Sequence, residues 1–133
     1  MNVCTPLNQY GPLVGRILLV LIFILSGYGK ISGWDGTLGF MASNGIPLTS
    51  LMLGLTILIE LGGGLLIALG LYARCAAVGI FLFLIPVTLI FHPFWSDPGQ
   101  MNSFMKNIAI MGGMLYIMTY GSGPYSLKQE RCE

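Results

Sequence analysis

The chain has 133 residues, of which 55% are hydrophobic and only 8% are charged, and its mean hydropathy is +0.81. Six basic and five acidic side chains are too few to cover the surface of a water-soluble globule of this size, so the composition predicts a single-domain membrane protein. The net charge of +1, without a cluster of Lys and Arg, argues against nucleic-acid binding.

Four apolar segments are predicted to be transmembrane helices, with approximate limits 12–31, 48–71, 75–92 and 103–121. Each approaches or exceeds the roughly 20 residues that cross about 30 Å of hydrocarbon. Residues 36–43 are too short to cross and predict an interfacial helix between the first two spans. The short turn at 70–74 makes the second and third helices antiparallel neighbours. We therefore expect one all-α transmembrane domain, a four-helix bundle over residues 1–133.

Basic residues near the helix ends predict the orientation of this bundle. One side carries Arg16, Arg74, Lys128 and Arg131, and the other carries Lys30 and Lys106. Because short cytoplasmic loops hold the excess of Lys and Arg, both termini are expected in the cytoplasm. The cysteines Cys4, Cys75 and Cys132 then lie on the reducing side, where free thiols are expected.

Glu60 is the most informative residue of the sequence. It lies near the middle of the second predicted helix, where a charge costs about 2.5–3.5 kcal/mol on insertion scales. An acid kept at this depth favours a functional role, together with Lys106, Arg16 or His92. The alternative is that Glu60 is neutral or paired for packing alone, and that the Lys and Arg residues merely mark helix ends.

Helical spacing predicts one stripe of residues on each helix that faces the bundle interior. The stripes are Arg16, Val20, Phe23, Gly27 and Lys30; Thr56, Glu60, Gly63, Gly64 and Ile67; Arg74, Val78, Phe81, Ile85, Thr88 and His92; and Lys106, Ile110, Gly113, Ile117 and Tyr120. If all four stripes face the bundle interior, Lys30, His92 and Lys106 lie at its outer opening, on the side opposite the termini, and Glu60 lies deeper in the bundle. The glycine pair beside Glu60 lets another helix approach closely.

These residues define a candidate site with two kinds of role. Glu60 and His92 are the candidate catalytic residues, because both can relay protons. The candidate substrate-binding residues are Arg16, Lys30, Lys106 and Trp95, although Trp95 is most simply an interfacial belt residue. The lone His92 excludes a bis-His haem within one chain, and without nearby acids we expect no metal site.

Several blocks of the sequence resemble the DoxX family of small membrane proteins. They are residues 16–19, 23–30, 40–47, 59–64, 69–74, 91–95 and 106–109, and the resemblance covers about residues 15–127. It departs at Ser126-Leu127-Lys128, where relatives often carry Ser-Leu-Asp. The resemblance implies a four-helix protein of the bacterial inner membrane. In some relatives it implies a subunit of thiosulfate:quinone oxidoreductase or a partner of thiol-oxidation enzymes, and in others a role in assembly or cargo handling.

Three functions follow as hypotheses. The leading one is a membrane subunit or partner of a redox system, whose polar cluster binds a quinone head group or an anionic sulfur substrate. No covalently bound cofactor is expected, so electrons would need a quinone or an oxidoreductase partner. The second is a non-enzymatic scaffold that binds other membrane helices through Gly63 and Gly64. The third is a small-solute or proton permease, which would require association into a homo-oligomer because four helices are few for a transporter.

Overall fold

The computed structural model describes residues 4–128, and within them the chain forms five α-helices and no β-strand. The helices are α1 (Cys4–Ser32), α2 (Trp34–Ser43), α3 (Thr49–Leu69), α4 (Ala73–Phe91) and α5 (Met101–Tyr120). A π-helical turn at Leu58–Gly62 interrupts α3, and a short 3₁₀ turn at Pro98–Gln100 precedes α5. The all-α fold and the short helix between the first two long helices agree with the prediction.

Three of these helices, α1, α3 and α4, are long and apolar enough to cross a membrane. They correspond to the first three predicted spans. The first begins at Cys4 rather than near residue 12, so Pro12 lies inside α1. The fourth predicted span corresponds to α5, which has 20 residues but carries Asn102, Lys106 and Asn107 in its first half.

The buried core is small, and most large apolar side chains point away from it. The core contains Val20 and Phe23 of α1, Ile67 of α3, Ala73, Ala77, Ile80 and Leu84 of α4, and Ile110, Met114 and Ile117 of α5. Exposed apolar residues such as Leu18, Leu25 and Leu82 cover the outside of the helices. A helix surface this apolar requires lipid rather than water around it.

The predicted inward stripes are confirmed on α1 and α3 and are wrong in part on α4 and α5. On α1 the buried residues include Arg16 and Gly27, and on α3 they include Glu60. On α4, however, Val78 and Ile85 are 39% and 40% exposed, and the neighbouring Ala77 and Leu84 are buried instead. On α5 the predicted Tyr120 is 74% exposed. Helix α4 is apolar on every side, so its sequence gives little information on which face turns inward.

Helices α1 and α3 pack closely at the depth of Glu60. A Cβ atom added to Gly27 of α1 would lie 2.9 Å from Leu61 Cβ and 3.0 Å from Leu61 N. One turn further along α3, a Cβ atom added to Gly64 would lie 3.0 Å from the Ile24 side chain of α1, whereas one added to Gly63 would lie 3.2 Å from the Ile80 side chain of α4. Glycine therefore permits the close packing predicted around the buried acid, with one of the glycines supplied by α1.

The segment 121–128 folds back over the end of α3 after α5 ends. Leu127 N donates to Leu69 O at 3.1 Å, and Lys128 N donates to Gly70 O at 3.1 Å. Tyr125 stacks on Tyr10 of α1 with ring centroids 5.4 Å apart. The segment thus ties α1, α3 and α5 together at the end of the molecule that holds the start of α1.

Candidate functional site

A cavity of about 320 Å³ lies among the five helices at the end of the molecule opposite the 121–128 segment. Its apolar lining includes Ile22, Phe23, Phe40, Met41, Phe83, Leu84, Val87, Phe91 and Ile110. Its polar lining consists of Ser26, Lys30, Thr37, Thr56, Glu60, His92, Gln100, Lys106 and Asn107. An apolar cavity with a few convergent polar groups is the usual form of a small-molecule site, and this volume falls at the lower end of the roughly 300–1,000 Å³ that such sites occupy.

The charged centre of the cavity is an ion pair between α1 and α3. Lys30 Nζ lies 2.9 Å from Glu60 Oε2, and it also donates to Ser26 Oγ at 2.6 Å. Glu60 is only 7% exposed, so its charge needs this partner. The sequence analysis named Lys106, Arg16 or His92 as companions of Glu60 and left the pairing base open, whereas the structure pairs Glu60 with Lys30.

Glu60 occupies the middle of the π-helical turn of α3. Such turns widen the helix by one residue and are frequent at functional sites. The turn is followed by Gly63 and Gly64, and glycine weakens regular α-helical structure by about 1 kcal/mol per residue. Sequence analysis missed the π-turn, and the glycine run is its only visible signal.

His92 caps α4 and contacts a residue that the sequence analysis did not identify. Its Nδ1 lies 2.8 Å from Gln100 Oε1. An amide oxygen can only accept, so the imidazole donates through Nδ1. Gln100 belongs to the 3₁₀ turn before α5, and its approach to His92 depends on the fold of the 93–100 loop, which no sequence motif specifies.

Two neighbouring residues of α5, Lys106 and Asn107, also line the cavity. Asn107 is buried and donates through Nδ2 to Thr88 Oγ1 of α4 at 3.1 Å. Lys106 has no ion-pair partner among residues 4–128. With two lysines and one glutamate in the wall, the site has a net positive charge when His92 is neutral.

The remaining two candidate residues lie away from this cavity. Arg16 is buried beside the 121–128 segment, where its guanidinium donates to the backbone carbonyls of Ala68, Ser122, Pro124 and Tyr125. Trp95 is 59% exposed and packs against Phe94 and Phe104 in an aromatic cluster, as an interfacial anchor would. The structure therefore brings together four of the six candidates and separates Arg16 and Trp95 from them.

Metal-ligating residues do not gather in the part of the chain that the structure describes. Residues 4–128 contain no group of three or more His, Cys, Asp or Glu side chains placed to hold a metal ion. Cys4 and Cys75 are exposed free thiols, and Cys132 lies outside the described residues. The side chains that line the cavity can themselves provide hydrogen bonding, charge stabilisation and proton transfer through Lys, Glu, His and amide groups.

Comparisons with known proteins agree with the resemblance seen in the sequence. The DoxX family model matches residues 11–93. The chain is 40% identical over 121 residues to inner membrane protein YqjF of Escherichia coli K12, covering 91% of this chain and 92% of that protein. It is also 36% identical over 120 residues to inner membrane protein YphA of the same organism, covering 86% of each.

A third relative carries a functional name. CatD of Bacillus subtilis strain 168, whose name assigns it provisionally to the oxidoreductases, is 38% identical over 77 residues, covering 58% of this chain and 56% of that protein. No solved structure gives a significant match.

Proposed function

The chain belongs to the DoxX family of integral membrane proteins, and from this premise we propose that it binds the head group of a quinone in its central cavity. In this proposal it acts as a membrane subunit or partner of a redox system. The observation that carries the proposal is the Lys30–Glu60 ion pair in the wall of a cavity of about 320 Å³, where polar groups converge beside aliphatic and aromatic side chains.

The lining supplies the contacts that a quinone needs. Phe40 and Phe91, whose rings stack with centroids 5.5 Å apart, offer apolar surface for the ring and its isoprenoid chain. Lys106 and Lys30 can donate hydrogen bonds to the carbonyl oxygens, which become more basic as electrons arrive. Reduction to the quinol takes two electrons and two protons; a partner oxidoreductase would supply the electrons, and the Glu60–Lys30 pair and His92 would deliver the protons.

Two further observations favour a redox function over the alternatives. CatD is named among the oxidoreductases, which supports the same class for this chain. The scaffold hypothesis relies on Gly63 and Gly64 contacting helices of other proteins, but these glycines already pack against Ile80 and Ile24 of this chain. The permease hypothesis gains no comparable support from the geometry.

The proposal is tested by thermal unfolding of the detergent-purified protein with and without a short-chain quinone. Binding at 100 times Kd stabilises the folded state by about 2.7 kcal/mol, which appears as a rise in Tm of several degrees. We expect this rise to disappear in Glu60→Gln, His92→Ala and Lys106→Gln variants that still fold. Lys128→Gln, which removes a lysine outside the cavity, is the matched control and should keep it.

Two outcomes would count against quinone binding. One is the absence of a Tm shift with ubiquinone, menaquinone and naphthoquinone analogues alike. The other is a shift of equal size in the wild type and the Glu60→Gln variant, because such stabilisation would come from partitioning into the detergent. A shift with thiosulfate or sulfite and none with quinones would instead favour an anionic sulfur substrate at the same site.

We also propose that α5 is a fourth membrane span and that both termini lie in the bacterial cytoplasm. At about 1.5 Å per residue its 20 residues reach about 30 Å, and they pack along α4 over much of that length. The cytoplasmic side would then hold Arg16, Arg74 and Lys128. Alkaline phosphatase fused after Lys128 should be inactive in this topology, and the same enzyme fused after Asp97 should be active.

A further inference from the structure

A second cavity of about 300 Å³ opens between α1 and α5 at the end of the molecule that holds the 121–128 segment. Its lining includes Gly15, Arg16, Leu19, Tyr116, Tyr120 and Ser122. Arg16 and Lys30, the basic residues that α1 contributes to the two cavities, are fourteen residues or about 21 Å apart along the helix, and the two linings share no residue. The second cavity is therefore distinct from the proposed quinone site.

The polar end of this groove has a buried positive charge with no acidic partner. Arg16 is 4% exposed, and its four hydrogen bonds all go to neutral backbone carbonyls. No carboxylate lies within ion-pair distance of it in residues 4–128. A guanidinium has five N–H donors, so one of the Arg16 donors is left over.

Ser122, beside Arg16, provides a second observation that points to a ligand. The residue is 3% exposed and lines the groove, and its buried hydroxyl has no hydrogen-bond partner among the described residues. A buried polar group without a partner costs about 1–3 kcal/mol. Together, the Arg16 charge and the Ser122 hydroxyl are a donor set for an anion with several acceptor oxygens.

The rest of the groove is apolar and faces outward between the helices. Helix α5 packs mainly on α4 and contacts α1 at Gly113. A Cβ atom added to Gly113 would lie 3.0 Å from the Leu19 side chain. Around Gly15 there is open space, with no atom within 4 Å of an added Cβ. Leu19, Ile117 and the exposed Tyr116 form walls that suit a hydrocarbon chain.

We propose that this groove binds an anionic phospholipid. The phosphate lies at the Arg16–Ser122 end, and an acyl chain lies between α1 and α5 along Leu19. A basic group at the headgroup level contributes about 1 kcal/mol toward an anionic lipid, which corresponds to about a fivefold preference over a zwitterionic one. The inference is independent of quinone binding, because the two cavities share no residue.

The test measures lipid binding to the full-length protein in detergent by native mass spectrometry. Phosphatidylglycerol and phosphatidylcholine with identical chains are compared, and glycerol phosphate is the arm without acyl chains. We expect phosphatidylglycerol to be retained about fivefold better than phosphatidylcholine, and glycerol phosphate to be retained poorly. Gly15→Leu, which fills the open space and keeps the Arg16 charge, should abolish retention of the lipid.

The controls separate the groove from general lipid adhesion. Gly79→Leu also introduces a leucine at a helical glycine with open space around it, but on α4, and should bind as the wild type does. Ser122→Ala removes a donor to the phosphate and should weaken retention of phosphatidylglycerol, which keeps the proposal testable if Gly15→Leu fails to fold. Equal retention of both lipids, unchanged retention of phosphatidylglycerol in Ser122→Ala, or equally strong binding of glycerol phosphate would overturn the proposal.

Discussion

The substitution Gly27→Ala tests whether close contact between α1 and α3 positions the site. The added Cβ would lie 2.9 Å from Leu61 Cβ, whereas carbon atoms prefer about 3.5–4.0 Å, so the helices must separate by several tenths of an ångström or more. Leu61 belongs to the π-turn of Glu60, and Lys30 follows Gly27 by about one helical turn. The separation therefore strains the 2.9 Å contact between Lys30 Nζ and Glu60 Oε2.

Overpacking of this kind typically costs about 1–3 kcal/mol. Replacing glycine by alanine also favours the helix by up to about 1 kcal/mol, so the comparison needs a glycine of α1 with free space. Gly29→Ala provides it, because no atom lies within 4 Å of a Cβ there. Unfolding in detergent, followed by circular dichroism, should find Gly27→Ala less stable than Gly29→Ala by about 1–3 kcal/mol, with weaker quinone stabilisation. Equal stability and equal quinone shifts in the two variants would refute the reasoning.

Three further substitutions have defined expectations. Lys30→Met leaves Glu60 buried without a counter-charge and should lower the free energy of unfolding by about 3 kcal/mol in the same assay. The control Lys128→Met should change it by no more than about 0.5 kcal/mol. Similar losses in the two variants would contradict the pairing. Thr88→Val removes the acceptor of Asn107 Nδ2 and should lower the free energy of unfolding by about 1–3 kcal/mol. Thr88→Ser keeps the hydroxyl and should retain most of that stability. An unchanged stability in Thr88→Val would show that Asn107 has another partner. Arg16→Leu removes the donor to three backbone carbonyls of the 122–125 segment and should speed proteolysis after Lys128 several-fold, because Arg16 anchors that segment. Cleavage at the wild-type rate would argue against this anchoring role of Arg16.

Much of the helical architecture could be predicted because a membrane helix needs a long apolar segment and its charged residues must avoid lipid. Apolar length identified the three helices α1, α3 and α4, and the short segment at 70–74 located the turn between α3 and α4. The inward faces of α1 and α3 could also be predicted, since each contains a charged residue that must avoid lipid. On α4 the only polar residues are Arg74 and Thr88 within a continuous apolar run, so the stripe through Val78 and Ile85 was wrong by one residue.

The candidate site could be predicted only in outline. Glu60, Lys30, His92 and Lys106 were identified because ionisable residues near membrane depth are rare, and all four line the same cavity. Which base pairs with Glu60 depends on the depth at which Gly27 meets Leu61, a tertiary contact that the helical period does not reveal. Gln100 was missed because its role comes from the loop after α4. Arg16 was predicted to bind substrate only because it is charged, whereas in the structure it donates to backbone carbonyls of the 121–128 segment.

The central claim is that the cavity around Lys30 and Glu60 receives a quinone head group. It is tested most directly by photolabelling the protein in bilayers with an azido-quinone and mapping the attachment sites by mass spectrometry. We expect labels on cavity residues such as Phe40, Met41 and Phe91, with loss of labelling when unlabelled quinone competes and in Glu60→Gln. Labels confined to the lipid-facing side chains of α1, such as Leu18 and Leu25, and insensitive to competition would contradict the account.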